Sequence, residues 1–145
     1  MTEFRDKVIA HLVEEEGVRT HAYIDSLGVT TIGVGRNIDE KANGPGLSVS
    51  EINFMLGNDI DKCIKDLRAI IEGFDGLSDG RRLALISMRF QLGLAGFLSF
   101  KQTIAHVNKG EFLRAARQML KSRAAQQTPR RWKRLSTLME IEDAI

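Results

Sequence analysis

Glu16, Asp25 and Thr31 lie close together in this chain of 145 residues and could share one reaction. A carboxylic acid that keeps its proton, beside a carboxylate that stays ionised, is equipment for cleaving a glycosidic bond. The acid protonates the leaving oxygen. The second carboxylate attacks the sugar or activates water. A hydroxyl next to that second carboxylate points to a water held between Asp25 and Thr31, which favours inversion. Eight residues separate Glu16 from Asp25, and five separate Asp25 from Thr31.

The elements around these residues have to supply the environment. Residues 2–16 read as a helix, with Phe4, Val8, Ile9, Leu12 and Val13 at helical spacing. At roughly 100° per residue, Glu14 points away from that apolar stripe and Glu15 sits at its edge. Glu16 falls inside it, between Leu12 and Ile9. Burial and the negative end of the helix dipole both favour the neutral acid there. Gly17 follows as a terminator. Residues 22–25 and 29–35 are β-prone runs around Ser26, Leu27 and Gly28, a hairpin signal. Asp25 closes the first strand, and Thr31 lies on the second, near enough to face it. Gly28, Gly33 and Gly35 mark bends or close approach of the backbone to another group.

Residues 37–47 form a polar loop, and Ser48 with Glu51 fits a capping box. A helix over about 49–72 carries the stripe Ile52, Met55, Leu56, Ile60, Cys63, Ile64, Leu67 and Ile71. Further helices are expected over 79–92, 97–108, 111–123 and 129–144. Thr128 is the expected N-cap of the last, with Pro129 at its first position. The predicted fold is α+β and mostly helical. A small β-hairpin lobe (about 15–50) is joined by the connecting helix (about 49–72) to a helical lobe (about 73–145), on which helix 2–16 packs. Two lobes on one helix leave a cleft, a common place for a ligand.

Composition narrows the alternatives. The chain is 43% hydrophobic and has a net charge of +2, unlike a disordered chain. One cysteine makes no internal disulfide, and no run approaches a membrane span. The N-terminal residues Glu3, Arg5, Asp6 and Lys7 do not fit a signal peptide. The charge is unevenly spread: −4 over residues 1–99, +9 over 100–134 and −3 over 135–145. A basic block attracts a polyanion, either nucleic acid or an anionic wall.

The residues carry a resemblance. Glu16-Gly17, Tyr23, Asp25 and Gly28, then Thr31-Ile32-Gly33-Val34-Gly35, resemble the active-site signature of the phage-type lysozymes, the endolysins of glycoside hydrolase family 24. The likeness continues through Phe90-Gln91, Gly93, Gly96-Phe97, Lys121-Ser122-Arg123 and Gln127-Thr128-Pro129 with Arg131. It implies a lysozyme-like two-lobed fold and a muramidase that cuts the β-1,4 bond of bacterial peptidoglycan. Glu16 would be the acid, Asp25 would position or deprotonate water, and Thr31 would assist. Arg131 corresponds to an arginine set against the catalytic glutamate, where it would oppose the effect of burial. Asn37, Phe90, Gln91, Phe100 and Gln118 correspond to substrate-binding positions. Arg36 stands where many relatives have His, and Asn37 where an apolar residue is common.

The resemblance further implies a monomer without cofactor or metal. It would be made in the host cytoplasm, delivered through a holin and active on periplasmic peptidoglycan, with residues 100–134 attracted to the anionic wall. The alternatives are an inactive peptidoglycan-binding scaffold on the same fold, which needs a lesion in the triad, and a nucleic-acid binder, which lacks a helix-turn-helix signature. His11, His21 and His106 lack ligand spacing. Cys63 and Trp132 read as core residues.

Overall fold

Gly17 takes a positive φ of +71° and ends the first helix after Glu16, as the sequence reading expects. In the computed structural model, which describes residues 2–142, helix α1 spans Thr2–Glu16. None of its residues is buried, Glu16 included. The expectation of a carboxyl buried within the apolar stripe is therefore corrected: Phe4, Val8, Ile9, Leu12 and Val13 are exposed along with it. Amphipathic spacing gives a helix a face to bury, but burial needs a partner surface, and α1 is assigned to a unit with one small sheet.

That sheet is antiparallel, in the order β1 (Arg19–Ile24), β2 (Thr30–Gly33) and β3 (Arg36–Asn37). The single strand expected over 29–35 is corrected to a strand, a turn at Val34 and Gly35, and a third short strand. Gly33 and Gly35, at φ +68° and +64°, allow the reversal. Register also differs from expectation. Tyr23, not Asp25, lies directly opposite Thr31, and a bulge interrupts the pairing between Arg19 and Tyr23. Asp25 follows β1 and extends the ladder by donating its N–H to the Val29 carbonyl at 3.0 Å. Asp25 and Thr31 thus share a sheet face as diagonal neighbours.

The loop after β3 contains a 3-10 turn, Glu40–Ala42, and leads into helix α2 (Val49–Ile70). The capping box forms as expected. Ser48 Oγ accepts from Glu51 N–H at 3.1 Å, and Glu51 Oε1 accepts from Ser48 N–H at 2.8 Å.

Contacts divide the chain into two compact units between Phe54 and Met55, within α2. The C-terminal unit is helical: α3 (Asp79–Leu98), α4 (Lys101–Asn108), α5 (Phe112–Leu120), α6 (Arg123–Gln127) and α7 (Pro129–Glu140). Helix α3 runs on past the end expected at 92, kinked at Gly93 with φ +73°, and takes in Phe97, so the helix expected from 97 begins at Lys101 instead. The helix expected over 111–123 is two, because Ser122 starts a new one by accepting the Ala125 N–H at 3.1 Å. Pro129 opens α7 as expected, but the Thr128 hydroxyl donates back to Ala124 O at 3.3 Å rather than capping forward. Helix α7 ends at Glu140, and residues 143 and 144 of the helix expected to 144 lie outside the described residues.

The core of this unit is continuous from Leu67 on α2 to Met139 on α7. Cys63 is buried and free, and burial pushes its thiol up. Trp132 is wholly buried and stacks on Phe100, with centroids 5.4 Å apart and planes 11° apart. Among the described residues no single helix is long and apolar enough to cross a membrane.

Candidate active site

The N-terminal unit holds Glu16, Asp25, Thr31 and Asn37, and one residue that no motif singled out links two of them. Val29 donates its backbone N–H to Asp25 Oδ1 at 2.9 Å, and its carbonyl accepts the Thr31 hydroxyl at 3.0 Å. Leu27 N–H also donates to Asp25 Oδ1 at 2.9 Å. Asp25 therefore organises the turn between β1 and β2 with one oxygen, and among the described residues only that oxygen takes hydrogen bonds. The five-residue interval between Asp25 and Thr31 has a physical reason: it places Val29 where its backbone serves both side chains. Thr31 is the one buried residue described in this unit, at 3% exposure. Its hydroxyl proton is committed to Val29, which leaves the oxygen lone pairs to accept from a further donor.

Glu16 approaches the same sheet from the end of α1. A Cβ placed on Gly35 would lie 3.0 Å from Glu16 Oε2 and 3.3 Å from its carboxyl carbon. The close approach anticipated for one of the glycines is thus made by Gly35, and its partner is the proposed acid.

Asn37 pairs with Thr31 across the β2–β3 ladder. Its amide is used within the following loop: Oδ1 accepts from Asp39 N–H at 2.9 Å, and Nδ2 donates to Ala42 O at 3.4 Å. Asp39 in turn accepts the Thr30 N–H at 3.2 Å, and this contact first among several holds its carboxyl below the usual range. Arg36 Nη1 donates to both Gly46 O and Glu51 Oε1, each at 3.0 Å. Glu51 is pulled down to about 2, first by the hydrogen bond from Arg36 and then by Ser48. The same pairing raises the Arg36 guanidinium.

The C-terminal unit holds the other sequence candidates. Phe90 and Gln91 are exposed on α3, just before the Gly93 kink. Phe100 and Gln118 line a groove of about 680 Å³, together with Lys101, Lys121, Ser122 and Arg123. Phe100 has a second role that the sequence did not show, since its ring packs on Trp132. Arg131 is half-buried and donates to Ser87 Oγ at 3.2 Å. Arg130, Lys133 and Arg134 line a separate groove of about 560 Å³. The basic block is therefore spread over two surfaces. Among the described residues no three His, Cys, Asp or Glu side chains gather as a metal site.

A small three-stranded antiparallel sheet at the N-terminal end of a chain otherwise built of helices defines the lysozyme-like α+β class. Residues 13–139 match the phage lysozyme family, and the chain belongs to that family. It is also 25% identical over 151 residues to the Probable T4-type lysozyme 1 of Dictyostelium discoideum, a match covering 87% of this chain and 89% of that protein.

Proposed function

We propose that the chain hydrolyses the β-1,4 bond between N-acetylmuramic acid and N-acetylglucosamine of bacterial peptidoglycan, with inversion. Glu16 gives its proton to the leaving glycosidic oxygen. A water accepted by Asp25 and donating to the Thr31 oxygen attacks the opposite face of the sugar, and Asp25 takes the proton that the water sheds. The observation that carries this reading is the Val29 backbone, whose N–H and carbonyl tie Asp25 and Thr31 to one residue. The fixed hydroxyl orientation favours a bound water over direct attack by the carboxylate.

Phe90, Gln91 and the groove beside Phe100 and Gln118 are the proposed glycan contacts, with Arg131 as the partner of the acid. The basic side chains of residues 100–134 attract the anionic wall, an effect that salt screens. The proposed setting is host lysis: release from the cytoplasm through a holin and action on periplasmic peptidoglycan.

Turbidity loss of permeabilised Gram-negative cells tests the activity. Glu16→Gln is expected to abolish lysis while the melting curve stays that of the folded protein, and Asp25→Asn to be similarly severe. Near wild-type turnover by folded Glu16→Gln would overturn the acid assignment. Proton NMR of the first product tests inversion: the new reducing end must appear as the α anomer.

A further inference from the structure

We propose that Arg36, clamped between Glu51 and the Gly46 carbonyl, is a positioning residue that holds the Gly35 turn against the Glu16 carboxyl. The inference rests on the assignment of Glu16 as the acid.

Arg36 occupies a joint. The residue before it, Gly35, is the one whose Cβ position would lie 3.0 Å from Glu16 Oε2. The residue after it, Asn37, pairs with Thr31, and Arg36 itself pairs with Ile32. One short strand therefore connects the surface beneath the acid with the strand that carries the water-binding hydroxyl. Two residues are a short strand, held to β2 by two register pairs and, just beyond them, by the Ile38 N–H on Thr30 O at 3.0 Å. The side chain of Arg36 adds a further restraint, on the turn side of these bonds. Its Nη1 reaches Gly46 O and Glu51 Oε1 at 3.0 Å each, across the loop that separates β3 from α2. Glu51 is itself fixed at the first turn of α2 by its reciprocal bonds with Ser48. The turn that meets Glu16 is thus anchored to a helix of 22 residues rather than to a mobile loop tip.

Burial explains why the clamp serves geometry more than global stability. The side chains of Arg36 and Glu51 are 41% and 40% exposed, and exposed ion pairs add little to folding. Small displacements of a catalytic group, by contrast, are costly: about 1 Å can cost on the order of a hundredfold in rate. A pair that contributes little to stability can still contribute measurably to kcat.

The test compares Arg36→Ala, Arg36→Lys, Glu51→Gln and the double variant Arg36→Ala/Glu51→Gln with wild type, using soluble glycan fragments. Arg36→Ala is expected to lower kcat about tenfold, with KM and the melting temperature nearly unchanged. Lys keeps the charge and can reach one acceptor, so Arg36→Lys should recover part of the loss. Glu51→Gln should reproduce part of it, and the double variant should lose no more than Arg36→Ala alone, because both changes break one device. A readout independent of turnover is the Gly35 amide by NMR. Its chemical shift should change when Glu16→Gln is introduced into wild type, and in the Arg36→Ala background that response should shrink.

Unchanged kcat and an unchanged Gly35 response in Arg36→Ala, while Glu16→Gln is inactive, overturn the positioning role and leave the acid assignment standing. A kcat loss that follows loss of folded protein, without recovery in Arg36→Lys, also overturns it. Turnover retained by Glu16→Gln instead removes the reading on which the inference rests.

Discussion

Gly35 is the residue against which the Glu16 carboxyl lies, and a Cβ there would stand 3.0 Å from Oε2. The contact joins the end of α1 to the turn between β2 and β3, elements separated by the whole hairpin. It also sits at a backbone φ of +64°, which side-chain-bearing residues rarely adopt.

Gly35→Ala should therefore act twice. Backbone strain costs about 1 kcal/mol, and the new methyl displaces the Glu16 carboxyl. Gly110→Ala separates the two effects, because Gly110 has a φ of +74° with nothing within 4 Å of its Cβ position. Both variants should lose similar stability in thermal melts, while only Gly35→Ala loses lytic activity. Equal activity in the two would mean that the contact with Glu16 is incidental.

Thr31 should reveal whether a hydroxyl is needed. Thr31→Ser keeps a donor for the Val29 carbonyl and an oxygen for water, and should retain much of the turnover. Thr31→Val keeps the shape but removes the hydroxyl. It should cost about 1 kcal/mol of stability and at least tenfold in kcat. If Thr31→Val turns over like Thr31→Ser, no water is held there.

Glu51 makes the loop sensitive to acid. Its carboxyl lies at about 2 in the folded chain against an ordinary 4.5, so the folded state favours the ionised form. That contribution is full above about 4.5 and is lost as the pH falls through about 2. Hydrogen exchange at the Ser48 amide, which donates to Glu51, should show protection shrinking across this window. Glu51→Gln at matched pH should flatten the dependence. An identical acid response in Glu51→Gln would assign it to another group, such as Asp39.

Trp132 should be a stability residue. Trp132→Ala removes a wholly buried ring and leaves Phe100 without its stacking partner, at a cost of about 3–5 kcal/mol. Among the described residues its Nε1 has no hydrogen-bond partner, so Trp132→Phe forfeits no bond and should be much milder. Chemical denaturation of both variants checks the order. A Trp132→Phe variant as unstable as Trp132→Ala would point to an unobserved partner for the indole N–H.

Local chemistry determined much of this chain by sequence alone. The end of α1 at Gly17, the Ser48–Glu51 box, the start of α7 at Pro129 and the core placement of Cys63 and Trp132 depend on a few adjacent residues or on one helical period. The spacing of Glu16, Asp25 and Thr31 likewise pointed to the family. Pairing and burial were a different matter, because they depend on what stands opposite. Spacing could put Thr31 on the second strand, but the turn closed between Asp25 and Val29 decided that it faces Tyr23 and meets Asp25 through Val29. Periodicity could put Glu16 on an apolar stripe, but only the fold left that stripe exposed. The pairing of Arg36 with Glu51, fifteen positions apart, has no sequence signal. It exists because a glycine turn sends β3 back toward the first turn of α2, and that reversal is a property of the folded chain.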